Sequence, residues 1–342
     1  MDFYEKYLKY KGKYLSLKNL KQNGGGKKLL GGGWEDATAF GKSCNDSTSA
    51  KPKFPKDLDL SKDWEVNEYS ISTKDILTFK NLEKKSIEDN LTFDVIRKIY
   101  DEDAKKPVLF AMAGISKNSF CGTAEILVEN QEKLRGKFKE VYMVNLNSLK
   151  NYQDDACTTY RNARFAEIKK DSEATGKPIK SMLRKELTRP QLLDVYDGEI
   201  RLSQEMAKLI HKLIVENLGL KKVHLLGKCA GGAICLDLVN ESDIYEALYL
   251  AVPGSPIHIL PLYKLPVERL EKMHFIFGWN ADDDYVFNFN GRSSTEKEIY
   301  DEEIGKLEAA KNVGIDYESY MFRPGNGHQP NPKLFDKIVK SV

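Results

Sequence analysis

Residues 222–239 read KVHLLGKCAGGAICLDLV. Three parts follow one another: an apolar run suited to a buried strand, a Gly-x-Cys-x-Gly turn, and a helix start built from small residues. A turn this sharp between strand and helix forces its central residue into a strained backbone, so the flanking positions must lack bulk. Gly227, Gly231 and Gly232, with Ala230 and Ala233, meet that need. The helix that opens here aims the positive end of its dipole at Cys229, which favours thiolate over thiol. A cysteine at a tight turn is ordinarily a packing residue, and only this surrounding pattern singles Cys229 out as a nucleophile. Cys235, inside the helix among apolar residues, reads as packing.

Outward from this turn, short apolar runs alternate with amphipathic stretches. Strands are expected near 107–113, 140–146, 222–226, 247–252, 273–277 and 316–321, with helices over 122–136, 198–218, 230–240, 264–271, 295–312 and 331–341. Repeated alternation of this kind predicts an α/β fold, a mainly parallel sheet flanked by helices. Residues 71–106 are expected to add earlier strands and a helix, SIEDNLTFDVIRKIYDED, at the sheet edge. The stretch 147–197 is far longer than an ordinary connection, so it reads as a helical insertion able to serve as a lid. The domain limits are then 1–33, 34–70 as an irregular extension, and 71–342.

A thiol nucleophile needs a base that exchanges protons near pH 7, which points to histidine. The chain has five histidines. His211 falls in a helix, His224 and His274 in strands, and His258 after a Pro-Gly-Ser-Pro turn. His328 instead lies in PGNGHQP, a glycine-rich loop between the last strand and the last helix. Three aspartates, Asp282, Asp283 and Asp284, follow the strand MHFIFG and are the candidates for the acid that orients it. The order nucleophile, acid, histidine is thereby satisfied.

Across residues 107–342 the chain resembles the α/β-hydrolase superfamily, and GKCAGG is similar to the elbows of dienelactone hydrolases and polyhydroxyalkanoate synthases. Those families use a Cys-His-Asp triad. The resemblance implies Cys229 as nucleophile, His328 as base and Asp283 as orienting acid, since Asp283 followed by Val286 fits the family spacing best. Asp282 is the alternate. It also implies an oxyanion hole from the backbone N–H groups of Ala230 and of Ile115, beyond the strand FAMAG. The chain departs from both families in its N-terminal extension, its 147–197 insertion and Lys228 before the nucleophile. Lys228 has two readings: a cation that lowers the thiol pKa, or a solvent-facing side chain as lysines more commonly are.

Composition bounds the rest. The 342 residues carry 53 basic and 51 acidic side chains, so no global field draws the chain to nucleic acid or to an anionic membrane. Five cysteines without CxxC spacing argue against a disulfide framework or a structural zinc site and fit a reducing compartment. No apolar run is long enough to span a bilayer, and the N-terminus has no signal-peptide core. A soluble, intracellular protein is expected. Residues 1–22 space Tyr and Leu among lysines as a short amphipathic helix, which glycine triplets at 24–26 and 31–33 terminate. This opening resembles N-terminal segments on proteins of amoeba-infecting giant viruses, which implies a viral origin and a virion or viral-factory partner.

The chemistry expected is hydrolysis of an ester or thioester through an acyl-enzyme, on a small-molecule acyl substrate and with no metal or organic cofactor. Acyl transfer on the same triad, peptide or isopeptide cleavage, and a non-catalytic virion or scaffold role on the same fold are the competing readings.

Overall fold

A computed structural model describes residues 64–73, 90–101, 105–114, 117–146, 174, 189–253, 265–283, 294–310 and 316–342. The N-terminal helix, the glycine triplets and most of the 147–197 insertion lie outside the described residues. Eight strands form one sheet: β1 (Glu65–Ser72), β2 (Asn90–Ile99), β3 (Val108–Met112), β4 (Glu140–Val144), β5 (Val223–Lys228), β6 (Tyr245–Ala251), β7 (His274–Asn280) and β8 (Asp316–Phe322). The spatial order is β1-β2-β4-β3-β5-β6-β7-β8. β2 runs antiparallel to both β1 and β4, whereas β3 through β8 are mutually parallel. This strand order, with a strand–turn–helix at β5, is the α/β-hydrolase fold.

Helices cover both faces, as parallel strands buried on two sides require. α1 (Lys117–Glu129) and α2 (Gln131–Arg135) precede β4, α3 (Arg189–Lys212) precedes β5, and α4 (Ala230–Leu238) follows it. α5 (Val267–Leu270), α6 (Ser294–Ala310) and α7 (Pro332–Ser341) complete the set. Side-chain alternation along each strand divides the interior into two cores. Val108, Phe110, Met112, Val223 and Leu225 pack with Ile210 of α3, with Ile214 just beyond it and with Ile234 of α4. Leu109, Ala111 and Leu226 point the other way, onto Leu127 of α1, Leu134 of α2 and Phe335 of α7.

Four expectations change. The segment expected as a helix within 86–103 contains strand β2: Leu91, Phe93 and Val95 alternate into one core while Ile96 enters the other, a period of two rather than 3.6. The extension 34–70 is not irregular throughout, because β1 begins at Glu65 and pairs in register with β2, with Ile71 opposite Leu91. The helix expected over 122–136 is broken at Asn130, whose side-chain amide donates to the Ile126 carbonyl at 2.8 Å. Finally, α3 starts at Arg189 rather than 198, taking in the end of the insertion. It closes on a wider turn, Leu213–Asn217, where the Leu218 N–H reaches the Leu213 carbonyl five residues back at 3.0 Å. Among the described residues no helix is long and apolar enough to cross a membrane.

Candidate active site

In a parallel sheet the loops beyond the carboxyl ends of the strands share one rim, and ligands bind where the winding direction reverses. Here that switch falls between β3 and β5, since β3 pairs with β4 on one side and β5 on the other. Cys229 stands at this point, directly after β5.

Its backbone has φ 52° and ψ −122°, a conformation an L-residue adopts only under constraint from its surroundings. The constraint is steric. A Cβ on Gly227 would sit 2.5 Å from the Gly232 Cα and 2.9 Å from the Cys235 Sγ. One on Gly231 would sit 2.5 Å from both the Met112 and the Ala113 carbonyl oxygens. Strand β5, helix α4 and the end of β3 therefore approach as backbones, a packing open only to glycine at both positions. The Cys229 N–H donates to the Ala251 carbonyl at 3.3 Å, and the Cys229 carbonyl accepts from Gly232 at 2.9 Å, fixing the turn on both sides. Cys235 is buried against this turn, and burial holds its thiol well above the ordinary value.

Asp283 follows β7 and is fully buried, and His328 follows β8. The His328 Nδ1 lies 2.9 Å from one Asp283 carboxylate oxygen and 3.1 Å from the other. With Nδ1 committed to the carboxylate, Nε2 is the ring nitrogen through which proton exchange would run. Burial alone would lower the imidazole pKa, but the Asp283 carboxylate and the Cys229 sulfur outweigh it and raise the value to about 9. The thiol shows the mirror image. Burial pushes it up, yet the His328 imidazole, the Lys228 ammonium and the Ala230 N–H together bring it below the ordinary value. The two shifts run in opposite directions, and each favours the charged form: thiolate for Cys229 and imidazolium for His328.

The other candidate residues divide. Asp282 accepts a hydrogen bond from the Gly325 N–H at 2.7 Å, so it ties down the loop that carries His328 rather than touching the ring. Asp284, Val286, His258 and Ile115 lie outside the described residues. The Ala230 N–H opens α4 at the elbow and contributes to lowering the Cys229 thiol pKa. Three histidines are occupied elsewhere: His211 Nδ1 is 2.7 Å from the Tyr245 hydroxyl, His224 Nδ1 is 2.8 Å from the Tyr249 hydroxyl, and His274 Nδ1 is 2.6 Å from Asp316. Lys228 does not reach solvent. Only 4% of it is exposed, because the last residue of β5 points into the layer between sheet and helices rather than off the rim.

Two residues of the site escape a reading of the sequence. Asn280, fully buried at the end of β7, donates to the Gly327 carbonyl at 2.8 Å and the Gln329 carbonyl at 2.6 Å, so it clamps the backbone on both sides of His328. Its own oxygen accepts from Asn331 at 2.8 Å, and Asn331 caps α7 by accepting from the Lys333 N–H at 3.0 Å. The usable signals were slight: an Asn ending an apolar strand, and an Asn before Pro332 at a helix start.

No family model matches the sequence, and no curated protein is significantly similar to it. Solved structures do resemble it in shape. A dienelactone hydrolase-like promiscuous phosphotriesterase from metagenomic libraries matches with a TM-score of 0.41 at 10% identity, covering 82% of this chain and 95% of that one. An α/β serine hydrolase without a lid from Xanthomonas campestris gives 0.38 at 10% identity, covering 85% and 92%. A CIB-like hydrolase from Thermoplasma acidophilum gives 0.39 at 10% identity, covering 81% and 98%. Likeness at this level leaves the chemistry to be read from the site itself.

Proposed function

We propose that the chain hydrolyses a carboxylic ester or thioester through a Cys229, His328 and Asp283 triad and an acyl-cysteine intermediate. The observation that carries this reading is the buried Asp283 carboxylate on the His328 Nδ1, with the same imidazole coupled to a thiol held in a strained elbow. A packing cysteine requires none of these three arrangements.

The cycle follows from the protonation states. Cys229 thiolate attacks the acyl carbon, and the carbonyl oxygen takes up the negative charge. The Ala230 N–H, at the positive end of α4, would stabilise that charge, and its contribution to lowering the thiol pKa supports this reading. Collapse of the tetrahedral species breaks the bond to the leaving group, which receives its proton from the His328 imidazolium. The imidazole, now neutral and held by Asp283, takes a proton from water. The resulting hydroxide attacks the thioester, and Cys229 departs as thiolate while the acid product forms. Asp283 stays ionised throughout and keeps the ring oriented.

The test is turnover of p-nitrophenyl acetate, p-nitrophenyl butyrate and an acyl-thioester by wild type, Cys229→Ala and His328→Ala. Wild type is expected to turn over at least one of the three, and each variant to lose about a hundredfold or more in kcat/KM on it. Equal rates for the three proteins would remove the catalytic reading and leave a hydrolase fold serving as a scaffold.

A further inference from the structure

Among the described residues, two that are not glycine have a positive φ: Cys229 at 52° and Val252 at 48°. A β-branched residue rarely adopts that conformation, and the proline that follows restricts Val252 further. Hydrogen bonds before, at and after the residue enforce it. The Ala251 carbonyl accepts from the Cys229 N–H at 3.3 Å, and the Val252 N–H donates to the Gly278 carbonyl at 2.8 Å. The Pro253 carbonyl accepts from the Trp279 indole at 3.2 Å and from the Tyr300 hydroxyl of α6. Strain held this firmly is the kind that accumulates at functional sites.

The sheet sets the direction of the side chain. Cys229 and Val252 directly follow Lys228 and Ala251, which are paired at the ends of the neighbouring parallel strands β5 and β6. The N–H of each makes the last rung to the next strand, and φ alone sets where Cβ stands relative to the strand it leaves. With nearly equal φ, the two side chains leave the sheet in the same sense, about 5 Å apart. Val252 is buried, yet among the described residues it belongs neither to the core beneath α3 and α4 nor to that beneath α1, α2 and α7. The strand order β5-β6-β7-β8 gives it another place. The sulfur stands beyond β5 and the imidazole on a loop beyond β8, so the two meet across the ends of β6 and β7. Val252 is the residue at the end of β6.

We propose that Val252 is a positioning residue for the nucleophile and its base: the left-handed turn sets a branched side chain beside Cys229 as the apolar floor on which thiol and imidazole meet. This rests on the preceding reading, since it needs Cys229 and His328 to act together. A side chain branched at Cβ fills the space next to the turn itself, which narrows the staggered wells open to the sulfur and keeps water from the gap below it. Being buried, Val252 is not open to substrate, so its effect belongs to kcat rather than to KM.

The test compares kcat, KM and the thermal unfolding midpoint of the full chain in wild type, Val252→Ala and Val252→Thr, on whichever of the three substrates above the wild type turns over. Val252→Ala removes the branch, and its kcat is expected to fall about tenfold with KM within about twofold of wild type. Val252→Thr keeps the branched shape, so its kcat should stay within about threefold of wild type while the buried hydroxyl lowers the midpoint. A residue that only supports the fold would lower the midpoint and leave kcat alone, so an active wild type matched in kcat by Val252→Ala sinks the proposal and spares the triad. Equal losses of kcat in both variants overturn it too, because shape would not then be the cause. If Val252→Ala does not fold, Val252→Leu takes its place with the same loss expected, since it moves the branch from Cβ to Cγ. Should wild type turn over none of the substrates, the preceding reading falls and Val252 with it.

Discussion

At Cys229 and His328 burial and pairing work against each other, and pairing wins on both. The sign of the pH dependence follows. The thiol, depressed below its ordinary value, sets an acid limb, and activity rises as pH climbs through it. In the proposed cycle His328 must be imidazolium to protonate the leaving group, and with its pKa at about 9 that form persists through neutral pH and disappears above. The pair predicts a bell-shaped kcat/KM profile whose alkaline limb lies near 9, read from initial rates of ester hydrolysis. Asp283→Asn removes the carboxylate that holds the ring. It should lower the alkaline limb by a unit or so and reduce kcat/KM by about a hundredfold. Asp282→Asn leaves the carboxylate on His328 and should leave that limb where it is. Equal effects of the two substitutions would break the assignment of Asp283 over its neighbour.

At the scale of elements, the elbow is a steric device made by glycine on two sides. Gly231 faces backbone carbonyls that cannot swing away, whereas the nearest neighbour of a Cβ on Gly232 is the Leu250 Cδ2 at 3.2 Å, the end of a flexible side chain. Gly231→Ala is therefore expected to cost about 2 kcal/mol or more in urea unfolding, while Gly232→Ala stays under about 1 kcal/mol. Comparable losses for both would show that the close approach at Gly231 does not constrain the turn. This same element was the most legible part of the chain, because strand, turn and helix each leave a local mark and agree with one another. The first two strands were not. In β1, EVNEYSIS mixes charge and apolar side chains as an edge strand does, and its pairing with β2 is set by residues some 25 positions away rather than by local pattern. In β2, charged residues among apolar ones imitate a helical face, and only the division of Leu91, Phe93 and Val95 from Ile96 between two cores reveals the period.

Across the whole molecule, the site is a meeting of three loops that lie far apart in sequence, and what holds them is a polar clamp rather than apolar packing. The chemical groups were readable because each sits in its own motif: Cys229 between glycines, Asp283 after an apolar strand, His328 in a glycine-rich loop. The clamp was not, because nothing near Asn280 in the sequence says that it will bond residues 47 and 49 positions onward. Of the two readings of Lys228, the solvent-facing one fails for a related reason: lysines favour solvent, and only the position of its strand end within the layered fold buries it. Asn280 joins β7 to the His328 loop through two carbonyls and to α7 through Asn331, so it couples the strand before Asp283, the His328 loop and the last helix. Asn280→Ala would leave the Gly327 and Gln329 carbonyls and the Asn331 amide to find other partners in a buried setting. The expected cost is about 3 kcal/mol of unfolding free energy. The loss should also reach the chemistry, because a base displaced by about 1 Å forfeits about a hundredfold in rate. Hydrogen exchange then localises the effect: amides of residues 323–331 should lose protection in Asn280→Ala while those of β5 keep theirs. Uniform loss across both regions would mean that Asn280 supports the fold at large and does not specifically hold the His328 loop.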